Sequence, residues 1–305
     1  MRITQHGMIQ DVMKNLNRRV SSVYDVQQQM STGIQVARPS DDPSGASEIL
    51  DLKNTMSRQK QYERNANTAL GFLNMTESTL NGIQDMLIST RADMVQGANG
   101  MLNEQNRHGL AVQMDQSLRQ LVQFSNQRYH NRYLFGGGLG NQAPYVAVEG
   151  EDHWLEAVET SFSEPLKPLE QIVDDNRRME VTIVGEDFTE LGDGENLFNM
   201  LFEMRQALTY DDTKTLAEGL DRMDVAIDQI LSLTSLVGIR TQTLYTKQDE
   251  YGSKEIILTE RLSELQDVDM VEAITRFQEE TNAYEVALKT AGSVIQPSLV
   301  NFINF

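Results

Sequence analysis

The chain contains no cysteine. A disulfide framework, a Cys-ligated zinc or iron–sulfur centre and a cysteine nucleophile are all excluded. Its four histidines, His6, His108, His130 and His153, fall at no metal-ligand spacing. No apolar run approaches the roughly 18 residues that mark a membrane-spanning helix. The opening Met1-Arg2-Ile3-Thr4-Gln5-His6-Gly7 lacks the apolar stretch of a cleavable secretory signal. Basic residues are scarce: Lys and Arg total 26 against 45 Asp and Glu, a net charge of −19. Phosphate backbones and anionic lipid surfaces are both held by cationic side chains, so neither a nucleic acid nor a membrane is expected as a partner.

Proline is also rare, and its placement divides the chain. Of six prolines, Pro39 and Pro43 share one short loop, Pro144, Pro165 and Pro168 mark the middle, and Pro297 lies near the C-terminus. Proline costs about 3 kcal/mol inside a helix, so the proline-free stretches 44–143 and 169–296 can hold long helices. The apolar spacing predicts that they do. Tyr62, Ala66, Ala69, Leu73, Thr76, Leu80, Ile83, Leu87, Thr90 and Met94 follow alternating steps of four and three. The same rhythm runs from Leu216 through Met223, Ile230, Val237, Leu244 and Tyr251 to Leu265. A seam sustained over several heptads signals a coiled coil or a long antiparallel bundle.

Both ends carry similar seams. Near the N-terminus it is Ile9, Met13, Leu16, Val20, Val23, Gln27 and Met30; near the C-terminus it is Ile274, Phe277, Thr281, Tyr284, Leu288, Ala291 and Ile295. The chain finishes on Leu299, Phe302, Ile303 and Phe305. Chain ends are usually polar and frayed, so this one is expected to be covered, either by its own core or by a partner. The segment 138–191 reads differently, with short strand-like runs at 145–148 and 179–184 between turn signals. The expected fold is mainly α: a long antiparallel helical rod or coiled coil built from the N- and C-terminal halves, with a small β-rich insertion.

Signals for chemistry are weak. Gly136-Gly137-Gly138-Leu139-Gly140 follows a helical pattern rather than a strand and lacks the Lys-Ser/Thr of a phosphate loop, so it reads as a flexible helix exit. Asp41-Asp42 and Asp211-Asp212 are adjacent acids, which serve more often as helix caps than as cation ligands. Asp42-Pro43 fits the cap at N-cap and first helical position. No nucleophile elbow or zincin pattern is present, so no enzyme is expected.

The segment Ser31-Thr32-Gly33 through Arg38-Pro39-Ser40-Asp41-Asp42-Pro43-Ser44-Gly45 is the most informative. Gly33 suits a left-handed helix end, and Pro39 imposes an extended step before the next helix. This block resembles the N-terminal hallmark of the flagellin superfamily. Asn131-Arg132-Tyr133-Leu134-Phe135-Gly136-Gly137, Val237-Gly238-Ile239-Arg240-Thr241-Gln242 and the run Leu262-Ser263 through Asp267-Val268-Asp269-Met270 to Ser298-Leu299-Val300 resemble further family blocks. Gln35 departs from the basic residue many members carry there. Met1-Arg2-Ile3-Thr4 and Asn196-Leu197-Phe198 resemble the family's hook–filament junction branch more than flagellin itself.

The resemblance implies an axial, extracellular structural protein of the bacterial flagellum, exported without a cleavable signal and needing no cofactor or metal. It implies an inner domain of 1–33 with 270–305, a helical rod domain of 34–137 with 192–269, and an outer insertion of 138–191; because that insertion is bounded by Gly-rich and Gly-Asp-Gly signals and lies outside the matching blocks, a short linker is expected to replace it without loss of ring formation. It implies contacts with copies of itself in a ring or tube, with the first hook-associated protein, with flagellin, and with a cytosolic export chaperone at the C-terminal helix. The assembly interface would use Ile9, Leu16, Val20 and Val23, the loop residues Arg38, Asp41 and Asp42, and Ile274, Phe277, Tyr284, Leu288, Ile295, Leu299, Phe302 and Phe305. Two alternatives stand beside this: an atypical flagellin forming the filament itself, and a surface adhesin whose binding module is 138–191.

Overall fold

The structure, a computed structural model, describes residues 5–99, 102–150, 153–162, 164–175, 177–191 and 194–303. Side chains are described from residue 7 to residue 293 of these. The chain forms two compact units, one from 1–58 with 253–305 and the other from 59–252.

In the first unit, α1 (Gln5–Thr32) pairs antiparallel with α7 (Met270–Ile303). Gly33 ends α1 at φ 72°, as its freedom from a Cβ allows. The two interhelix loops of the unit then meet. Gln35 N–H donates to the Gln266 carbonyl (2.8 Å), and Val268 N–H donates to the Gly33 carbonyl (2.9 Å). Asp267 accepts from the Ser263 hydroxyl (2.6 Å), and Asp269 caps α7 by accepting from Val271 and Glu272 N–H. The Asp-Val-Asp run therefore closes one helix and opens the next.

Helices α2 (Pro43–Ala98) and α6 (Thr213–Gln266) contribute to both units. They run antiparallel: Glu48 meets Arg261 in the first unit, while Gln59 meets Tyr251 and Arg91 meets Asp224 in the second. All the seam positions read from the first stretch, from Ala66 to Met94, are buried, and Tyr62 is half-buried. The α6 seam is buried at Leu216, Met223, Ile230, Val237, Leu244 and Tyr251. Beyond Tyr251, in the other unit, Glu255 is exposed and Leu258, Leu262 and Leu265 are half-buried.

The N-terminal proline-free stretch does not hold a single helix. Ala98 ends α2, and a second helix, α3 (Glu104–Ser125), is capped by Asn103, whose side chain accepts from Asn106 N–H (2.8 Å). Leu110, Met114, Leu118 and Leu121 of α3 and Leu197, Leu201, Met204 and Leu208 of α5 (Leu197–Tyr210) complete the core of the second unit. Among the described residues three antiparallel strand pairs join them: β1–β2 (Arg128–Tyr129, Arg132–Tyr133), β3–β4 (Tyr145–Glu149, Leu155–Thr160) and β5–β6 (Glu170–Asp174, Arg177–Glu180). The first turns through His130 and Asn131, both at positive φ, the conformation of a two-residue hairpin loop.

The glycine run is not a flexible helix exit. It follows β1–β2, and Gly137 is buried at φ 53°. A Cβ there would clash with the Lys167 carbonyl oxygen, which also accepts from Gly138 N–H (2.9 Å). Close backbone approach is what these glycines provide.

Candidate assembly interface

The terminal helices place the sequence-derived interface residues on two stripes. On α1, Ile9, Leu16 and Val23 are half-buried together with Val12, Val26 and Met30. Val20 and Met13 are exposed. The packed seam thus steps 9-12-16-23-26-30, and the expected 13, 20 and 27 turn outward. On α7, Ala273 and Ala291 are buried and Phe277 and Tyr284 half-buried, whereas Ile274 and Leu288 are exposed. Small alanines at the contact let the helices approach, which moves the larger Ile274 and Leu288 to the rim. The side chains of Ile295, Leu299 and Phe302, and the whole of Phe305, lie outside the described residues. Arg19 and Glu280 bridge the pair at 3.0 Å; both are accessible enough that this contributes little.

The loop before α2 is ordered by its own acids. Asp41 Oδ2 accepts from Arg38 N–H (2.9 Å), and Asp42 Oδ1 accepts from Ser44 N–H (3.0 Å), the N-cap bond expected in front of Pro43. Arg38, Asp41 and Asp42 are all exposed. The second acidic pair also caps. Asp211 ends α5 in the left-handed conformation and pairs with Arg107 at 3.2 Å. Asp212 accepts from Thr215 N–H and Oγ1, and these bonds hold its carboxyl below the usual range. Among the described residues no three His, Asp or Glu side chains are grouped to hold a metal ion.

The sequence reading missed a buried ionic cluster beneath the insertion. Asp115 on α3 is 5% exposed, and its Oδ1 accepts from Arg205 Nη1 (2.5 Å) and Leu155 N–H (3.1 Å). Its Oδ2 accepts from Arg119 Nε (2.9 Å). Arg205 lies over the rings of Trp154 (5.1 Å) and Phe202 (5.4 Å). One charged residue inside each of two apolar helix faces, of opposite sign, was the signal available. The β5–β6 hairpin is tied down as firmly: Asn65 donates to the Ile172 carbonyl (2.8 Å), Lys247 to Asp174 (3.0 Å), and the buried Tyr251 hydroxyl to the Val173 carbonyl. The segment 138–191 therefore shares the core of the second unit. A linker in its place would take the Leu155 N–H from Asp115, the Trp154 ring from Arg205 and the Val173 carbonyl from Tyr251, so replacing the insertion should cost stability in this unit.

Comparison with known proteins agrees with this architecture. Residues 3–138 match the bacterial flagellin N-terminal helical region. The chain is 24% identical to flagellar hook-associated protein 3 of Escherichia coli, over 95% of each chain. To flagellar hook-associated protein 3 of Salmonella typhimurium it is 27% identical, over 95% of this chain and 96% of the other. A flagellar hook-associated protein of Vibrio parahaemolyticus has the same fold, with a TM-score of 0.65 at 18% identity, over 74% of this chain and all of the other. Flagellins such as Salmonella phase 1 flagellin match only 38% of this chain.

Proposed function

We propose that this chain, a flagellin-superfamily protein similar along its length to flagellar hook-associated protein 3, is the structural protein that joins hook to filament in a bacterial flagellum. The carrying observation is the extent of that similarity: it spans both helical halves and the insertion, whereas the likeness to flagellin is confined to little more than a third of the chain. The paired terminal helices, with apolar side chains left outward at Val20, Ile274 and Leu288, support a role completed by assembly.

In this reading the chain is exported to the cell exterior and stacks as a ring of its own copies, against the first hook-associated protein on one side and flagellin on the other. The division into inner (1–33 with 270–305), rod (34–137 with 192–269) and outer (138–191) parts belongs to the same proposal. So does an export chaperone that holds α7 before passage, with Phe277, Tyr284, Leu288 and Ile295 as helix-in-groove anchors. A strain deleted for the chain tests the role. Hooks should form and flagellin monomers should appear in the medium without attached filaments. Normal filaments, or hooks without exported flagellin, would overturn the assignment.

A further inference from the structure

The chain holds two Asn-Gly pairs, Asn81-Gly82 and Asn99-Gly100. Asparagine amides are thermolabile. They are least stable before glycine, because without a Cβ the following residue lets its backbone nitrogen reach the side chain. The two asparagines lie in different settings. Asn99 follows Ala98, the last residue of α2, whereas Asn81 and Gly82 lie well inside that helix. Asn81 is exposed, while Leu80 and Ile83 beside the pair are fully buried.

Glycine inside a helix is unfavourable, but here it has a reason. A Cβ on Gly82 would lie 3.0 Å from Cζ of Phe124 on α3 and 3.1 Å from its Cε1. The missing side chain lets α3 bring that ring onto α2. Packing therefore calls for the glycine and not for the exposed asparagine before it. In the helix the pair is inert. The Gly82 N–H is committed to the carbonyl four residues back, that of Ser78, and helical ψ turns the same nitrogen away from the Asn81 side chain. Both restraints vanish when α2 is not formed.

We infer that Asn81 is a site of spontaneous deamidation that the folding of α2 closes. The Gly82 nitrogen, giving its proton to solvent base, attacks Cγ of Asn81. The new N–Cγ bond closes a five-membered imide, and the Cγ–Nδ2 bond breaks to release ammonia. One water then opens the imide. Breaking the N–Cγ bond leaves aspartate; breaking the bond to the main-chain carbonyl carbon leaves isoaspartate, with the chain running through Cγ. No oxidant or reductant is involved. Aspartate adds one charge at an exposed position. Isoaspartate adds a carbon to the main chain in mid-helix, so Leu80 and Ile83 can no longer both face the core with the hydrogen-bond ladder intact. A chain that waits unfolded therefore loses, molecule by molecule, the ability to build α2.

The test uses the purified full-length chain, aged at mildly alkaline pH in denaturant and, in parallel, folded, then digested for mass spectrometry. In denaturant the Asn81 peptide should show the amide-to-acid mass gain and isoaspartate, at a rate within severalfold of the Asn99 peptide. In the folded chain the rate at 81 should fall at least tenfold. No conversion at 81 in denaturant, or equal rates at 81 in both states, would overturn the inference. When the aged chain is returned to native buffer, the fraction that regains helical circular dichroism should be depleted severalfold in isoaspartate at 81; equal content in recovered and unrecovered chain would show that the damage does not act through α2. Asn81→Gln, which closes the larger ring far more slowly, should restore the recovered fraction, and Asn99→Gln, past the end of α2, should restore little. The reverse ranking would overturn the inference as well.

Discussion

Replacing Asp115 by Leu should destabilise the second unit far more than the loss of one surface ion pair. In the folded chain Arg205 is 9% exposed, and Asp115 is the carboxylate that faces it. Removing the carboxylate leaves a guanidinium in a site walled by Trp154 and Phe202. Stranding one member of a buried pair costs about 3–5 kcal/mol. The Leu155 N–H also loses its acceptor, a further 1–3 kcal/mol or so. Arg119 keeps Glu149 and the His153 carbonyl, so it adds little. For a cooperative unit of this size each kcal/mol moves the melting temperature by about 2–4 °C, and the fall should be at least about 8 °C.

The decisive comparison is Asp115→Leu with Arg205→Met. Apolar replacement of both partners removes the stranded charge and leaves mainly the Leu155 penalty. The double variant should therefore recover about 2 kcal/mol or more over Asp115→Leu alone, measured by denaturant unfolding as a double-mutant cycle. Additive losses, or an Asp115→Leu cost below about 1 kcal/mol, would refute the view that this pair locks α3 to α5.

Tyr145 gives a prediction on pH. It is buried, and burial pushes its hydroxyl from 10 up to about 12 despite the bond to Thr189 Oγ1. Between those values the unfolded chain loses the proton while the folded one keeps it, so stability falls as pH rises through that window, by roughly 1.4 kcal/mol per pH unit. Tyr145→Phe should flatten this alkaline slope in pH-dependent unfolding; an unchanged slope would locate the sensitivity elsewhere. Asp42→Ala removes one cap worth about 1 kcal/mol, so thermal melting of the monomer should barely move. If the exposed loop acts between subunits, as the resemblance implies, electron microscopy should nonetheless show hooks that lose their filaments; a large stability loss with filaments retained would confine Asp42 to capping.

The heptad rhythm of α2 was legible because every position from Ala66 to Met94 that could be apolar, or a threonine able to bond its own backbone, was so. Thr76 and Thr90 are buried and donate to the Phe72 and Met86 carbonyls. Gly33 and Asp42-Pro43 were equally legible, since left-handed helix ends and N-caps are set by single residues and their immediate neighbours. Periodicity reports that a face is apolar, not what covers it. On α6 the same rhythm runs past Tyr251, yet beyond it Leu258, Leu262 and Leu265 are only half-buried. On α1 the choice between 12 and 13, or 26 and 27, was decided by which side of the helix α7 covers. Asp115 and Arg205 are 90 residues apart, and no local pattern joins them; only the packing of α3 on α5 under the β3–β4 hairpin makes them one group. The tertiary fold also fixed the glycine run, where the Lys167 carbonyl, brought in from a distant loop, leaves no room for a Cβ at Gly137.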